Sequence, residues 1–377
     1  MTTTYRGGVT FTPDRDATSQ AGGHSPSHRR PPGRHPWLGR RWLKIVAIIG
    51  LAAVLLLGAG FVVTKTLISR YESSVSRDTL LDPGSRDDAA AGSRYSGFRQ
   101  LAGPLNYLLI GSDLRAANPE AGQRSDSIVI VQVNRTLDGA HLISIPRDLM
   151  VQIPAADDST DFTGSEEKIN AAFEHGGGGS GGVRLLAATL TQLTGLRFDG
   201  AAVIDFGGFE QAIDALGGVT LCVDQPVRSI HTDRMFLAGC QQMDGSAALD
   251  FSRQRYGLTD GDYDRQKHQQ QLLKAIFTKA MEGGVTRNPI KLDQFIRSVG
   301  GSLTVDTGAI GITDLLFSLR DIRPGSLQGV RVPSVPETVG DTSYVFLTPE
   351  ADSLFTALRE GDLAGWTALH PEWVNTI

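Results

Sequence analysis

The 377-residue chain is 40% apolar and 20% charged, with 44 glycines, 17 prolines and two cysteines, which excludes the collagenous, fibrous and disulfide-dense classes. Its formal charge of −5 conceals a basic leader, in which eight Arg and Lys face two Asp within residues 1–44. The body that follows is acidic and lacks the broad cationic field that nucleic-acid binding requires, so no nucleic-acid partner is expected.

In chain order, residues 1–44 are rich in Pro, Gly, Ser and Thr and carry few apolar positions. They cannot bury enough surface to offset ordering entropy, and a disordered cytoplasmic tail is expected. The stretch IVAIIGLAAVLLLGAGFVV is uncharged and as a helix crosses most of a hydrocarbon core of about 30 Å. A transmembrane helix is therefore assigned to residues 45–65. A cleaved signal peptide is the alternative, disfavoured by the long polar leader ahead of the run. Arg40, Arg41 and Lys44 mark the N-terminal end as cytoplasmic, which makes the chain single-pass, with everything downstream outside the membrane. The polar residues 66–103 suit an extracytoplasmic stalk. Residues 104–365 show no low-complexity break and read as one domain, with 366–377 as a tail.

Within that domain, apolar runs of strand length fall at 107–110, 128–133, 141–145, 201–204 and 219–223, several too continuously apolar for a half-exposed sheet. Helical patterns at 183–193, 208–216 and 264–281 each stop at glycine. Further helices are predicted at 288–299, 313–319 and 350–359, and strands at 329–332 and 344–347. The alternation predicts an α/β fold, a three-layer α-β-α domain around a central mixed sheet. The glycine run 176–182 lacks the Lys-Ser/Thr of a phosphate loop and reads as a flexible loop near a site. Cys222 and Cys240 suit an oxidising compartment. Paired, they close a loop of about 19 residues, worth about 3 kcal/mol in the chain-entropy model; two buried free thiols are the alternative.

Chemistry-bearing residues cluster at strand ends. Asp113 and Arg115 follow the first strand, Arg124 and Asp126 precede the second, and Arg147 and Asp148 end the third. Such ends are a favoured ligand position in α/β folds. Asp113 and Asp126 are hard oxygen donors of the kind that hold Mg²⁺, with Mn²⁺ as a substitute, and no His/Cys set has zinc spacing. Arginines grip phosphate oxygens in a bidentate manner. In ALDFSRQR, Arg253 and Arg255 share one face if the segment is extended. Arg265 and Gln269 lie one turn apart at a helix start, where an anion site forms. For any single cluster, turn residues and surface ion pairs are the plainer account. Ser112 has no evident His partner, so covalent serine catalysis is not expected.

The blocks NYLLIGSDLR, RSDSIVIVQVN, ISIPRDLMVQIP, KINAAFEHGG, VIDFGGFEQAIDALGGVTLCVD, DGSAALDFSRQR and DYDRQKHQQQLLKAI resemble, in order, those of the LytR-CpsA-Psr family. That resemblance implies a membrane-anchored phosphotransferase that moves a glycopolymer from a polyprenyl pyrophosphate carrier onto peptidoglycan, in cell wall assembly. By the same resemblance, Asp113 and Asp126 bind Mg²⁺, and Arg124, Arg147, Arg253, Arg255, Arg265 and Gln269 surround the pyrophosphate; Arg115 joins this set as the basic residue of its cluster. Arg147, Arg265 and Asp148 are the candidate catalytic residues, Asp148 as a base or as the orienting partner of Arg147. His268 stands where many members carry Arg and is given no role. The family also holds its lipid in an apolar channel, whose lining the sequence does not identify. A lipid pyrophosphatase using the same residues, and a non-catalytic binder of polyprenyl phosphates, remain alternatives.

Overall fold

The computed structural model describes residues 76–87, 95–96, 100–113, 125–156, 161–285, 288–308, 310, 315 and 318–377. The predicted tail and membrane helix lie outside these residues, as do Arg115, Arg124 and most of the predicted helix 313–319. Among the described residues, no helix is long and apolar enough to cross a membrane.

Among the described residues, eight strands form the central sheet: β1 (Ser76–Arg77), β2 (Leu105–Ser112), β3 (Ser125–Val133), β4 (Ala140–Ser144), β5 (Gly200–Asp205), β6 (Leu303–Asp306), β7 (Leu327–Arg331) and β8 (Val374–Asn375), in the order β1-β6-β5-β2-β3-β4-β7-β8. The sheet is mixed, with β3 antiparallel to both β2 and β4, and β5 parallel to β2 and β7 parallel to β4. The helices that flank it are α1 (Asn170–His175), α2 (Gly179–Thr194), α3 (Phe206–Ala215), α4 (Gly245–Arg253), α5 (Asp262–Glu282), α6 (Pro289–Val299), α7 (Glu350–Glu360) and α8 (Leu363–Leu369).

Strand side chains alternate between faces, so every second residue serves one layer. One set, including Leu108, Ile110, Ile128, Ile130 and Ile143, packs against Phe173, Leu186, Leu190, Leu354 and Leu358 from α1, α2 and α7. Each such side chain stabilises the fold by about 1.5–3 kcal/mol. On the other side, α3, α4 and α5 share a second core with Val219, Leu221 and Phe236, to which no strand of the central sheet contributes.

Several expectations change here. The segment Val219–Val223 is not in the central sheet; it pairs with Gly239–Met243 as a separate ribbon. Its burial alternates, with Thr220 and Cys222 exposed, so one of its faces belongs to solvent. Cys222 and Cys240 stand opposite each other in that ribbon and are disulfide-bonded. The glycine run is not a loop beside a site. Gly179–Gly182 open α2, and a Cβ on Gly182 would meet the Phe173 carbonyl oxygen at 2.5 Å. Glycine is needed there because α1 and α2 approach backbone to backbone.

Residues 76–87, within the predicted stalk, belong to the domain. Leu80 and Leu81 are buried in the main core, the Leu80 amide donates to Asp306 Oδ2 at 2.8 Å, and Arg86 pairs with the same carboxylate. The predicted tail 366–377 is likewise structured, because β8 pairs with β7 and Lys274 Nζ donates to the Ile377 carbonyl at 2.5 Å.

Candidate active site

The site is built at the end of the sheet where β2 stops and β3 starts. Pairing runs from Gly111–Ser127 to Ser112–Ser125, so Asp126 is the extra residue of a bulge. Bulges re-aim side chains, and here Asp126 and Ser127 both join the wall of a cavity. Arg147 follows β4 at the same end and donates from Nη1 to Asp126 Oδ1 at 2.5 Å.

Helices supply the remaining cations. Arg265, in the first turn of α5, is 5% exposed and pairs with Asp262 at 2.6 Å. Gln269, Leu272, Leu273 and Ile276 continue the same helical face into the cavity. The segment carrying Arg253 and Arg255 is not extended as the spacing suggested. Asp244 caps α4 through the Ala247 amide, and the helix runs to Arg253 before Gln254 turns extended. Both arginines nevertheless reach the cavity, because the helix ends between them. Arg253 stacks over Phe206 at 4.5 Å.

Together these residues make a two-part cavity of about 410 Å³. One part of its lining is apolar, from Leu109, Val129, Ala202 and Ile204 of the sheet and Leu273 and Phe295 of the helices; the other part carries Asp126, Arg147, Arg253, Arg255, Arg265 and Gln269. Burial disfavours the charge on Arg147, but Asp126, Asp148 and Asp262 outweigh it and raise its pKa. For Arg265 burial prevails: its pKa is lowered, Asp262 opposing the shift and Arg147 adding to it. Buried cations that disfavour one another make a strong anion site, since a phosphate among them relieves the repulsion.

Two predicted residues stand outside the cavity wall. Asp148 faces a neighbouring cleft, where its Oδ1 accepts from Lys168 Nζ at 2.9 Å and its Oδ2 lies 3.6 Å from Arg147 Nε. Asp113 follows the last residue of β2, half-buried, at the same end of the sheet as Asp126. Among the described residues, no three His, Cys, Asp or Glu gather around a metal position. Two hard carboxylates at paired strand ends instead fit an ion bound largely through water and substrate phosphates, as Mg²⁺ is.

Sequence reasoning missed Ile230, His231, Phe206, Phe209 and Tyr256, all of which line the cavity. The loop bearing Ile230 and His231 is held by buried Asp250, which accepts from Ser229 Oγ at 2.6 Å, from Gln254 Nε2 at 2.8 Å and from Thr232 Oγ1. Burial, with Arg253 next, lowers the His231 pKa. His268 takes no part in the cavity wall; it stacks on Phe251 at 4.2 Å within the second core.

A family model described as the LytR_cpsA_psr family matches residues 66–360. The chain belongs to the LytR-CpsA-Psr family. It is 31% identical over 270 residues to the probable cell wall biosynthesis protein LcpB of Corynebacterium glutamicum, an alignment that covers 67% of this chain and 61% of that protein. It is 28% identical over 301 residues to the Bacillus subtilis polyisoprenyl-teichoic acid–peptidoglycan teichoic acid transferase TagT, covering 77% and 86% of the two chains. Among solved structures, protein gbs0355 from Streptococcus agalactiae superposes with a TM-score of 0.62 at 21% identity, over 73% of this chain and 91% of the other, and so shares the LytR-CpsA-Psr fold.

Proposed function

We propose that this protein transfers a glycopolymer from a polyprenyl pyrophosphate carrier onto peptidoglycan during cell wall assembly, releasing polyprenyl phosphate. One observation carries the reading: a single cavity joins apolar walls to four arginines and two aspartates. Such a hollow fits a molecule with a hydrocarbon tail and a diphosphate head. The family's general role in cell wall ligation, and the transferase activity named for TagT, agree with it. The uncharged run 45–63 behind a basic leader supports a single-pass anchor with the domain outside the membrane.

In this reading the apolar walls hold the polyprenyl chain, and Arg147, Arg253, Arg255 and Arg265 bind the two phosphates. Asp113 and Asp126 would hold Mg²⁺, which when bound supplies further charge neutralisation at the pyrophosphate. An acceptor hydroxyl oxygen bonds to the glycan-side phosphorus as the bridging P–O bond to the lipid phosphate breaks. The hydroxyl proton ends on the released phosphate. Asp148, braced by Lys168, keeps Arg147 aligned. Positioning and charge neutralisation dominate such transfers.

Arg147→Ala and Asp126→Ala should each lower transfer from a lipid-pyrophosphate-linked oligosaccharide by about a hundredfold or more, with an unchanged circular dichroism spectrum. Wild-type transfer in both variants refutes the site. Product phosphorylated glycan that stays free, never joined to peptidoglycan, would make the protein a pyrophosphatase, and retained donor binding without any turnover would make it a binder.

A further inference from the structure

Beside the cavity lies a second cleft of about 550 Å³, between residues 146–148, the start of α5 and the paired strands Ser334–Val339 and Thr342–Leu347. The two share Arg147, Arg255 and Tyr256 and so adjoin at these two cations. Their chemistry differs. In the cleft, Arg147, Lys168 and Arg255 are matched by Asp148, Asp260 and Asp262, which leaves no net attraction for a second phosphate. Instead the lining offers groups that suit hydroxyls and amides. Gln266 is 3% exposed and its Oε1 accepts no hydrogen bond; Arg147 Nε is likewise without one. An orphaned buried acceptor calls for a donor. Tyr256, 53% exposed at the junction, carries the Arg255 guanidinium over one ring face at 4.7 Å, which leaves the opposite face to suit the C–H face of a sugar.

We propose that this cleft is the acceptor subsite, holding an uncharged N-acetylated saccharide of the glycan strand that receives the phosphoryl group. The inference rests on the transferase reading. In-line displacement puts the entering and leaving oxygens on opposite sides of phosphorus. With the lipid phosphate leaving towards the apolar cavity, the attacking hydroxyl enters from the side of Arg147 that faces the cleft. The donor carries a saccharide too, and the test separates these two sources of the same chemistry.

Gln266→Met removes the orphan acceptor at nearly constant volume. Asp260→Asn alters an exposed side chain of the cleft lining. Full-length chain in detergent is assayed with a polyprenyl-pyrophosphate-linked oligosaccharide as donor and uncrosslinked peptidoglycan strands as acceptor. Each variant should raise the KM for strands by about fivefold, the loss expected for one hydrogen bond, while the donor KM and the Kd for geranylgeranyl pyrophosphate stay unchanged. Unchanged strand KM in both variants overturns the proposal, as does a rise in donor KM instead, which assigns the cleft to the donor's own glycan. Strand binding to chain loaded with geranylgeranyl pyrophosphate is measured in parallel by calorimetry. Binding by wild type that Gln266→Met weakens, without transfer by either, upholds the cleft and sinks the transferase reading; no strand binding by wild type sinks the cleft alone.

Discussion

The two faces of the central sheet carry similar apolar residues yet end in opposite states. On one face Leu108, Ile110, Ile128 and Ile130 meet Phe173, Leu186 and Leu190 with almost no exposure. On the other, Leu109, Gly111, Ala202 and Ile204 stay partly accessible and line the cavity. The difference is made by the covering layer: α3, α4 and α5 bury their apolar residues in a core of their own with the disulfide-bonded ribbon. Helices that are stabilised without the sheet can stand off from it. Hollowness is thus a property of the layer above the strands as much as of small residues upon them.

Identical substitutions on the two faces should therefore have unequal costs. Leu186→Ala, in the packed layer, should lower unfolding free energy in urea by about 3–5 kcal/mol. Leu273→Ala, against the hollow, should cost about 1 kcal/mol, because the methyls it loses already border open space. Equal costs would mean that the hollow closes in solution.

The second core can be loosened separately through acid. Burial lowers the His268 pKa to about 4, below its ordinary value near 6.5, so between these values the unfolded chain binds a proton that the folded chain refuses. Stability should be complete above about pH 6.5 and fall as pH drops towards 4, by up to about 3 kcal/mol. His268→Phe should flatten that part of the curve, measured by urea midpoints across pH; a slope that survives the substitution assigns it elsewhere. The smallest expected change is a filled cavity. Ala202→Phe should leave the unfolding free energy in urea within about 1 kcal/mol of wild type and weaken geranylgeranyl pyrophosphate binding about tenfold. Binding that persists would place the lipid outside this hollow.

The central strands were legible because buried strands must be apolar, and runs such as YLLI and IVIV have few other uses. The helix ends were legible at Gly195, which takes the left-handed conformation that glycine favours. Val219–Val223 misled because its polar positions, Thr220 and Cys222, mark one wet face, the signature of a peripheral ribbon. Arg253 and Arg255 both line the cavity, but by a geometry that a two-residue spacing does not reveal, since a helix stops between them. The bulge at Asp126 depends on pairing with Gly111 and Ser112, so nothing local encodes it. Tyr256, Ile230 and His231 enter through loops, whose paths follow from tertiary contacts such as those of Asp250.

The sheet's borders have a consequence of their own. Among the described residues, both outermost strands are two residues long: Ser76–Arg77 on one margin and Val374–Asn375 on the other. Each covers a longer neighbour and offers little free backbone itself, which denies passing chains a template for strand addition. Removing the last four residues would uncover the outer rim of Leu327–Arg331 and leave an adhesive edge there.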